Sequence, residues 1–512
     1  MDVMIKLPSY TYATIKHQLS KLPILKSQIK LLIATSIITS ILVIPTFVFL
    51  FSLVLLYRKC IDLLLHFHIE HRYRGLLRGV DTICCNQPSC TPSFFFLIDY
   101  NKSHEDLRQD FINLLRQCRY ARHEKLFYSW SSFFGYHYYY KNNLKVEDYI
   151  TIADMPENTS TINIIKNKED FANVIVQYDT AKMPDDNNAL FHIIIYPQQV
   201  KLPQVEGCKL VCFKMHHALA DGKAILGWMM ADLADKEPNH QTNGLQNGGF
   251  AKPTNGVQKQ IGKCVMDDII KSCKKTLFDD KIKVLPSDYH DDNILLGRNL
   301  RDEKFICWFS DFSSEYIDKI KTIRKSREGV SFLDVINTCI SSSLQKYYEK
   351  HSNIIPEEIS GGVVLSPANY SFRYGNPADF TFSNEFSVGG FRFPIVINKI
   401  FLLVERCIFP PAISTTNVFA SQLKITIGVS SLPGSDKQMT LFGGHLMKDV
   451  ILMAPNSPGT ALHFVNCSYG NRFKISLTID KSVVENFANA QSIVDGIIDN
   501  IDLLYDIVTS AN

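Results

Sequence analysis

The sequence predicts an α/β protein in two halves behind an N-terminal membrane helix. Three observations predict it. A charge-free apolar run extends from Leu31 to Tyr57. Downstream, short apolar runs of strand length alternate with stretches of helical periodicity. Between them, residues 236–263 are rich in Asn, Gln, Gly, Pro and Lys and poor in large apolar side chains, as a surface linker would be. At about 150 residues per domain, 512 residues make roughly two to four folding units.

The apolar run follows a basic segment, 1–30, and leads into a second one, 58–90. As one helix it would be roughly 40 Å long, more than the ~30 Å hydrocarbon core. It starts too late and runs too long for a cleaved signal peptide. Lys6, Lys16, Lys21, Lys26 and Lys30 precede it and Arg58, Lys59, Arg72, Arg74 and Arg78 follow, so the positive-inside count is nearly balanced. Pro45 removes a backbone donor in mid-run. A tilted single span and a bent hairpin returning to the cytosolic face therefore both fit. His66, His68 and His71 do not share one helical face, which reads as a solvated interfacial stretch.

In the first half, 91–235, Phe94 to Ile98 reads as a buried strand. Asn101 or Ser103 then caps a helix with Leu107, Phe111, Leu114 and Cys118 on one face. Leu210 to Met215 is a second buried strand, and Ala224, Ile225, Trp228, Met229 and Leu233 follow at helical spacing. The second half, 264–512, opens on an amphipathic helix from Cys264 to Phe278. Strands follow near Phe305–Phe309 and Gly362–Leu365, with a helix from Phe332 to Tyr348 between them. Ala461–Asn466 and Phe473–Ile479 form a hairpin around Tyr469-Gly470-Asn471, and a last helix spans Val483 to Val508.

The net charge of +3, with 21% charged residues, gives no electrostatic case for nucleic acid as a partner. Thirteen cysteines are an odd number on a long chain, which favours reduced thiols over a disulfide framework. Cys84, Cys85 and Cys90 lack a second metal-spaced pair, so no metal is expected.

The chemistry concentrates at His216-His217-Ala218-Leu219-Ala220-Asp221-Gly222, where a strand ends and a helix begins. A rigid sheet can present a histidine there to a cleft, and imidazole titrates near neutrality, so it can take a hydroxyl proton. Asp221 either pairs with an arginine or caps the following helix. Gly222 admits turn geometry that side chains resist. Each residue alone also has a purely structural reading. The chain nevertheless lacks a phosphate loop, a nucleophile elbow and a zinc-binding H-E-x-x-H helix, which leaves this loop as the catalytic candidate.

The His-His-x-x-x-Asp-Gly loop after a hydrophobic strand resembles the signature of the CoA-dependent acyltransferase superfamily. Ser430-Ser431-Leu432-Pro433-Gly434, Gly443-Gly444-His445, Pro455, Ser468-Tyr469-Gly470 and Asp480 follow the order of the wax ester synthase/diacylglycerol acyltransferases. Val330 to Leu344, Leu365-Ser366-Pro367, Arg373 and Gly375-Asn376 are similar to that family as well, so the resemblance spans roughly residues 90 to 510.

The resemblance implies two chloramphenicol-acetyltransferase-like α/β domains with a tunnel between them. It implies transfer of a fatty acyl group from acyl-CoA, a substrate rather than a cofactor, to a fatty alcohol or diacylglycerol at a lipid bilayer. The endoplasmic reticulum, with cytosolic catalytic domains, or the plasma membrane would be the location. His217 would be the general base, His216 its support, and Asp221, partnered by Arg373 and followed by Gly222, a structural group. Ser430, Ser431, Pro433, Gly434 and Asp334 would touch substrate. The family usually has Asn where Ser431 stands, Asn-Asp at Leu333-Asp334 and Pro-Leu-Trp near Ala189-Leu190-Phe191, departures that bear on acyl and acceptor selectivity. A lipid-binding protein without turnover, or an acyltransferase for a sterol, are the rival readings.

Overall fold

A computed structural model describes residues 23–85, 91–120, 123–154, 162–179, 183–235, 293–296, 300–301, 303–326, 330–353, 356, 361–365, 382–384, 387–390, 426–435, 437–454 and 460–510. The chain forms two compact units, residues 1–67 and 68–512.

The first unit is built on α1 (Pro23–Ile69), one helix of 47 residues that continues through Pro45. No reverse turn interrupts Leu31–Tyr57, so the bent hairpin is not its local conformation. Ile44, Phe47, Val48, Phe49, Leu50 and Leu56 are each more than half exposed. Among the described residues no helix is long and apolar enough to cross a membrane. Side chains are described from Ile44 onward, and Ile44–Tyr57 is shorter than the ~20 residues a span needs. The expected transmembrane segment is thus present as a helix, not as a demonstrated span.

The second unit begins with β1 (Tyr73–Leu76) and α2 (Val80–Cys85). The Phe-rich run becomes β2 (Ser93–Ile98), buried at every position. Ser103 and Asp106 then form a capping box, each side chain accepting the other's backbone N–H at 3.1 Å. Ser103 rather than Asn101 thereby starts α3 (His104–Tyr120). Its buried stripe is Leu107, Phe111, Leu115 and Cys118. Leu115 replaces the expected Leu114 because the stripe steps by four residues twice before stepping by three.

The first half continues through β3 (Tyr128–Phe133), β4 (Tyr136–Lys141), β5 (Ile150–Ile152), β6 (Ile164–Ile165), α4 (Lys168–Asp179), β7 (Phe191–Tyr196), β8 (Gln199–Val200) and β9 (Lys209–Met215) to α5 (Gly222–Trp228). A π-helical turn, Met229–Leu233, extends α5. The second half supplies β10 (Lys304–Ser310), α6 (Glu315–Lys325), α7 (Phe332–His351), β11 (Gly361–Leu365), β12 (Ser387–Gly390), β13 (Ile427–Ser435), β14 (Thr440–Leu441), β15 (His445–Met453), β16 (Leu462–Tyr469), β17 (Arg472–Asp480) and α8 (Phe487–Ser510). The linker 236–263 and the amphipathic helix Cys264–Phe278 fall outside the described residues.

Twelve of these strands form two six-stranded sheets, ordered β14-β15-β2-β9-β7-β5 and β10-β17-β16-β13-β11-β12, while β1, β4 and β3 form a three-stranded sheet and β6 pairs with β8. The sequence division at 236–263 does not divide the sheets. β15 comes from the second half yet pairs antiparallel with β2, Ile451 opposite Phe95, and so enters the first sheet. The β16–β17 hairpin closes Tyr469 on Arg472. Gly470 and Asn471 take φ of +59° and +55° there, the geometry that two-residue hairpin turns favour. Asn486 accepts from the Asn489 N–H at 2.9 Å and caps α8, which therefore starts at Phe487 and not at Val483.

One apolar core lies between the first sheet and α3 and α5, and a second between the other sheet and α6, α7 and α8. Strand alternation splits β13 and β16 between them. Ile427, Val429, Leu462 and Phe464 face the helices α6–α8, while Leu432, Val465 and Cys467 face the first sheet and α5.

Candidate functional site

β9 is apolar from Leu210 to Phe213 and sits mid-sheet between β2 and β7. Its ladder runs one step past the strand, where the His216 N–H donates to the Leu190 carbonyl at 2.8 Å. The chain then turns, with Leu219 N–H donating to the His216 carbonyl at 2.9 Å. Asp221 ends the loop by capping α5, its Oδ1 accepting from the Ala224 N–H at 2.8 Å. Of residues 210–221 only His217 escapes full burial. The two histidines therefore have different roles. His216 is 5% exposed, lies beside the Trp130 ring and accepts from the Ala218 N–H at Nδ1, 3.2 Å away. Burial, helped by the like charges of His217 and His137, pushes its pKa down to about 3. It is a neutral brace of the loop.

Three side chains hold the carbonyls of the loop. Asn384 Nδ2 donates to the His217 carbonyl at 2.7 Å, Tyr139 Oη to the Ala218 carbonyl at 2.8 Å, and Lys125 Nζ to the Leu219 carbonyl at 2.7 Å. All three converge on Asp81 of α2. Its Oδ1 accepts from Asn384 at 2.7 Å, and its Oδ2 lies 2.6 Å from Tyr139 Oη, whose one hydrogen it shares with the Ala218 carbonyl, and accepts from Lys125 at 3.3 Å. Burial lowers the Lys125 pKa while Asp81 pulls it back, and burial beside Asp81 raises the Tyr139 pKa well above its usual value. Asn384 makes one more contact: its Oδ1 lies 3.0 Å from Nδ1 of His217. None of these four residues stands out in the sequence. Tyr139 lies 79 residues from the group it binds, and Asn384 lies 167 from His217 and 303 from Asp81.

The remaining candidates divide. Gly222 is the first residue of α5 and is not among the glycines with positive φ. Its lack of a side chain instead admits Leu432, whose Cδ1 would lie 2.9 Å from a Cβ there. Turn geometry is thus not the reason for this glycine; close approach of the second sheet is. Ser430 shares the Leu432 face of β13 and bonds through Oγ to Nε2 of His463 at 2.9 Å. Ser431 points to the opposite face, where its Oγ donates to Asn466 Oδ1 at 2.8 Å, away from the His217 loop. Pro433 continues β13. At Gly434 β13 lies directly against the Ser468 carbonyl of β16, which leaves no room for a Cβ.

Asp334 lies on the surface, in a capping box with Ser331 that starts α7. That is a helix-capping role, not a contact with the His217 loop. Arg373, the expected partner of Asp221, and Gly375-Asn376 lie outside the described residues. Among the described residues no group of three His, Cys, Asp or Glu side chains is placed to hold a metal ion.

Residues 396–504 match the WS/DGAT C-terminal domain. No curated protein matches the sequence. The wax ester synthase/diacylglycerol acyltransferase of Marinobacter aquaeolei VT8 superposes with a TM-score of 0.52 at 11% identity, over 85% of this chain and 100% of that one. The trichothecene 15-O-acetyltransferase of Fusarium sporotrichioides gives 0.52 at 11% identity, over 85% of this chain and 97% of that one. Both likenesses are of fold, the α/β fold of CoA-dependent acyltransferases. The match to the WS/DGAT C-terminal domain is confined to residues 396–504, and beyond them the likeness is one of fold.

Proposed function

We propose that the protein is a membrane-anchored O-acyltransferase that moves a fatty acyl group from acyl-CoA to a long-chain alcohol or diacylglycerol, giving wax ester or triacylglycerol. The observation that carries this reading is His217, the one residue of the 210–221 strand and loop that is not fully buried, in a chain that matches the WS/DGAT C-terminal domain. The acceptor hydroxyl oxygen attacks the thioester carbonyl carbon while His217 takes its proton. The C–S bond breaks, and the departing CoA sulfur receives that proton from the imidazolium, so the enzyme is regenerated without a cofactor.

The lipid acceptor is supported by the apolar run of α1, where Ile44, Phe47, Val48, Phe49, Leu50 and Leu56 stand exposed. Buried in a bilayer, they would hold the catalytic unit where such acceptors concentrate, with the endoplasmic reticulum as the proposed membrane and the catalytic unit on its cytosolic face. Arg58 to Arg78 would add about 1 kcal/mol per charge at an anionic surface.

The test is purified full-length protein with labelled palmitoyl-CoA, hexadecanol, dioleoylglycerol and a panel of short alcohols. Labelled wax ester or triacylglycerol is expected from wild type, falling ~100- to 10,000-fold in His217→Ala. Equal turnover by His217→Ala would remove the base, and faster acylation of short soluble alcohols would remove the lipid acceptor. Binding of lipid without turnover by wild type would favour a lipid carrier. Release of the chain by carbonate extraction of membranes would overturn the anchor.

A further inference from the structure

We infer that Asn384 is a positioning residue that fixes the tautomer of His217, and that Asp81 fixes Asn384. The inference rests on His217 being the base. A side-chain amide has one donor end and one acceptor end. The donor end of Asn384 is already determined, because Nδ2 faces two groups that can only accept: the Asp81 carboxylate at 2.7 Å and the His217 carbonyl at 2.7 Å. Oδ1 must then be the atom 3.0 Å from His217 Nδ1. An amide oxygen only accepts, so Nδ1 carries the hydrogen and the basic lone pair sits on Nε2.

The same amide grips both the ring and the carbonyl of one residue, which leaves the imidazole little rotation. Asp81 is held in turn by Tyr139 and Lys125, so the amide cannot flip without losing a charge-assisted bond. A neutral amide in this position orients the ring without adding the negative charge that a carboxylate would place beside the imidazolium. Histidine–asparagine pairs serve cysteine proteases in this way, and a wrong tautomer in a serine-protease triad costs about 10,000-fold.

Two measurements test this. In Asn384→Ala, kcat should fall ~10- to 100-fold with the KM for palmitoyl-CoA within about threefold, because the base is misoriented while the substrate contacts stay. Asp81→Asn should move kcat in the same direction, since its side chain no longer dictates which way the amide points. The second readout is 15N NMR of histidine-labelled protein, with His217→Gln to assign the ring. Wild type should show a protonated Nδ1 and a lone pair on Nε2, and Asn384→Ala should shift population toward protonated Nε2.

A tautomer unchanged in Asn384→Ala, or a wild-type ring protonated at Nε2, would overturn the inference even if His217→Ala is inactive. If His217→Ala stays active, the reading of His217 as base fails, and the NMR result still decides whether Asn384 sets its tautomer. A circular dichroism spectrum and melting midpoint matching wild type exclude unfolding as the cause of lost turnover.

Discussion

Leu432 of β13 rests against the bare α-carbon of Gly222, so the second sheet touches the first turn of the helix that Asp221 caps. The contact is made by the far end of a flexible side chain. At Gly434 the neighbour is backbone, the Ser468 carbonyl. The two glycines should therefore respond differently to the same substitution. Gly222→Ala is expected to cost about 1 kcal/mol, because Leu432 can change rotamer, whereas Gly434→Ala must separate β13 from β16 and should cost more than about 3 kcal/mol. Urea midpoints in detergent measure both. Equal losses would mean that the strand contact at Gly434 relaxes as easily as a leucine turns.

Lys125 bonds two main-chain carbonyls, of Leu219 and Phe382, as well as Asp81. The side chains of Lys125 and Asp81 are only 19% and 17% exposed. Lys125→Met leaves the carboxylate without its cation and should destabilise by about 3–5 kcal/mol. Adding Asp81→Asn should recover at least about 1 kcal/mol of that loss, although the orphaned carbonyls keep the double variant below wild type. A double variant no more stable than Lys125→Met would show that the cation matters only as a hydrogen-bond donor.

What the sequence made legible was the contiguous part of the site. A buried strand, a histidine pair, an aspartate and a glycine follow one another from Leu210 to Gly222, and strand periodicity and cap chemistry act over that range. Asp81, Lys125, Tyr139 and Asn384 were illegible because each lies far along the chain from the carbonyl it holds, and an isolated Asn or Tyr has no local signature. The entry of β15 into the first sheet was hidden for the same reason, since strand order depends on contacts between distant segments. Ser431 is a different case. Ile427 and Val429 alternate at period two, which already places Ser431 on their face and Ser430 on the opposite face with Leu432, and that signal was present in the sequence.

His216 and His192 should make the fold acid-sensitive. Burial pushes their pKa values down to about 3 and about 4, from 6.5 in the unfolded chain. Below pH 6.5 the unfolded chain binds protons that the folded one refuses, so stability falls as pH falls, by about 1.4 kcal/mol per pH unit for each histidine. The decline from His192 levels off below about pH 4 and that from His216 below about pH 3. His192→Leu should remove about one proton from the slope of stability between pH 6 and 5, measured by urea unfolding at fixed ionic strength. An unchanged slope would mean that His192 titrates alike in both states.

Lys474 of β17 and Asp449 of β15 form an ion pair between strands of different sheets, with side chains 4% and 2% exposed. The Asp449 carboxylate also accepts from the Val450 N–H at 2.9 Å, and the Lys474 ammonium lies 4.8 Å from the Phe312 ring centre. Burial makes each charge costly alone, because the attraction between them offsets a desolvation penalty that either would otherwise bear by itself. Lys474→Met and Asp449→Leu should each destabilise by about 3–5 kcal/mol, while the double variant, which buries no charge, should be more stable than either single one. The pair sits between the sheets and outside the Asp81 network, so the double variant should keep the wild-type pH profile of turnover. Melting midpoints of the four proteins, taken with their rates on palmitoyl-CoA and hexadecanol, decide the matter. Single variants within about 0.5 kcal/mol of wild type would show that water reaches the pair and that the two sheets are held by apolar packing alone.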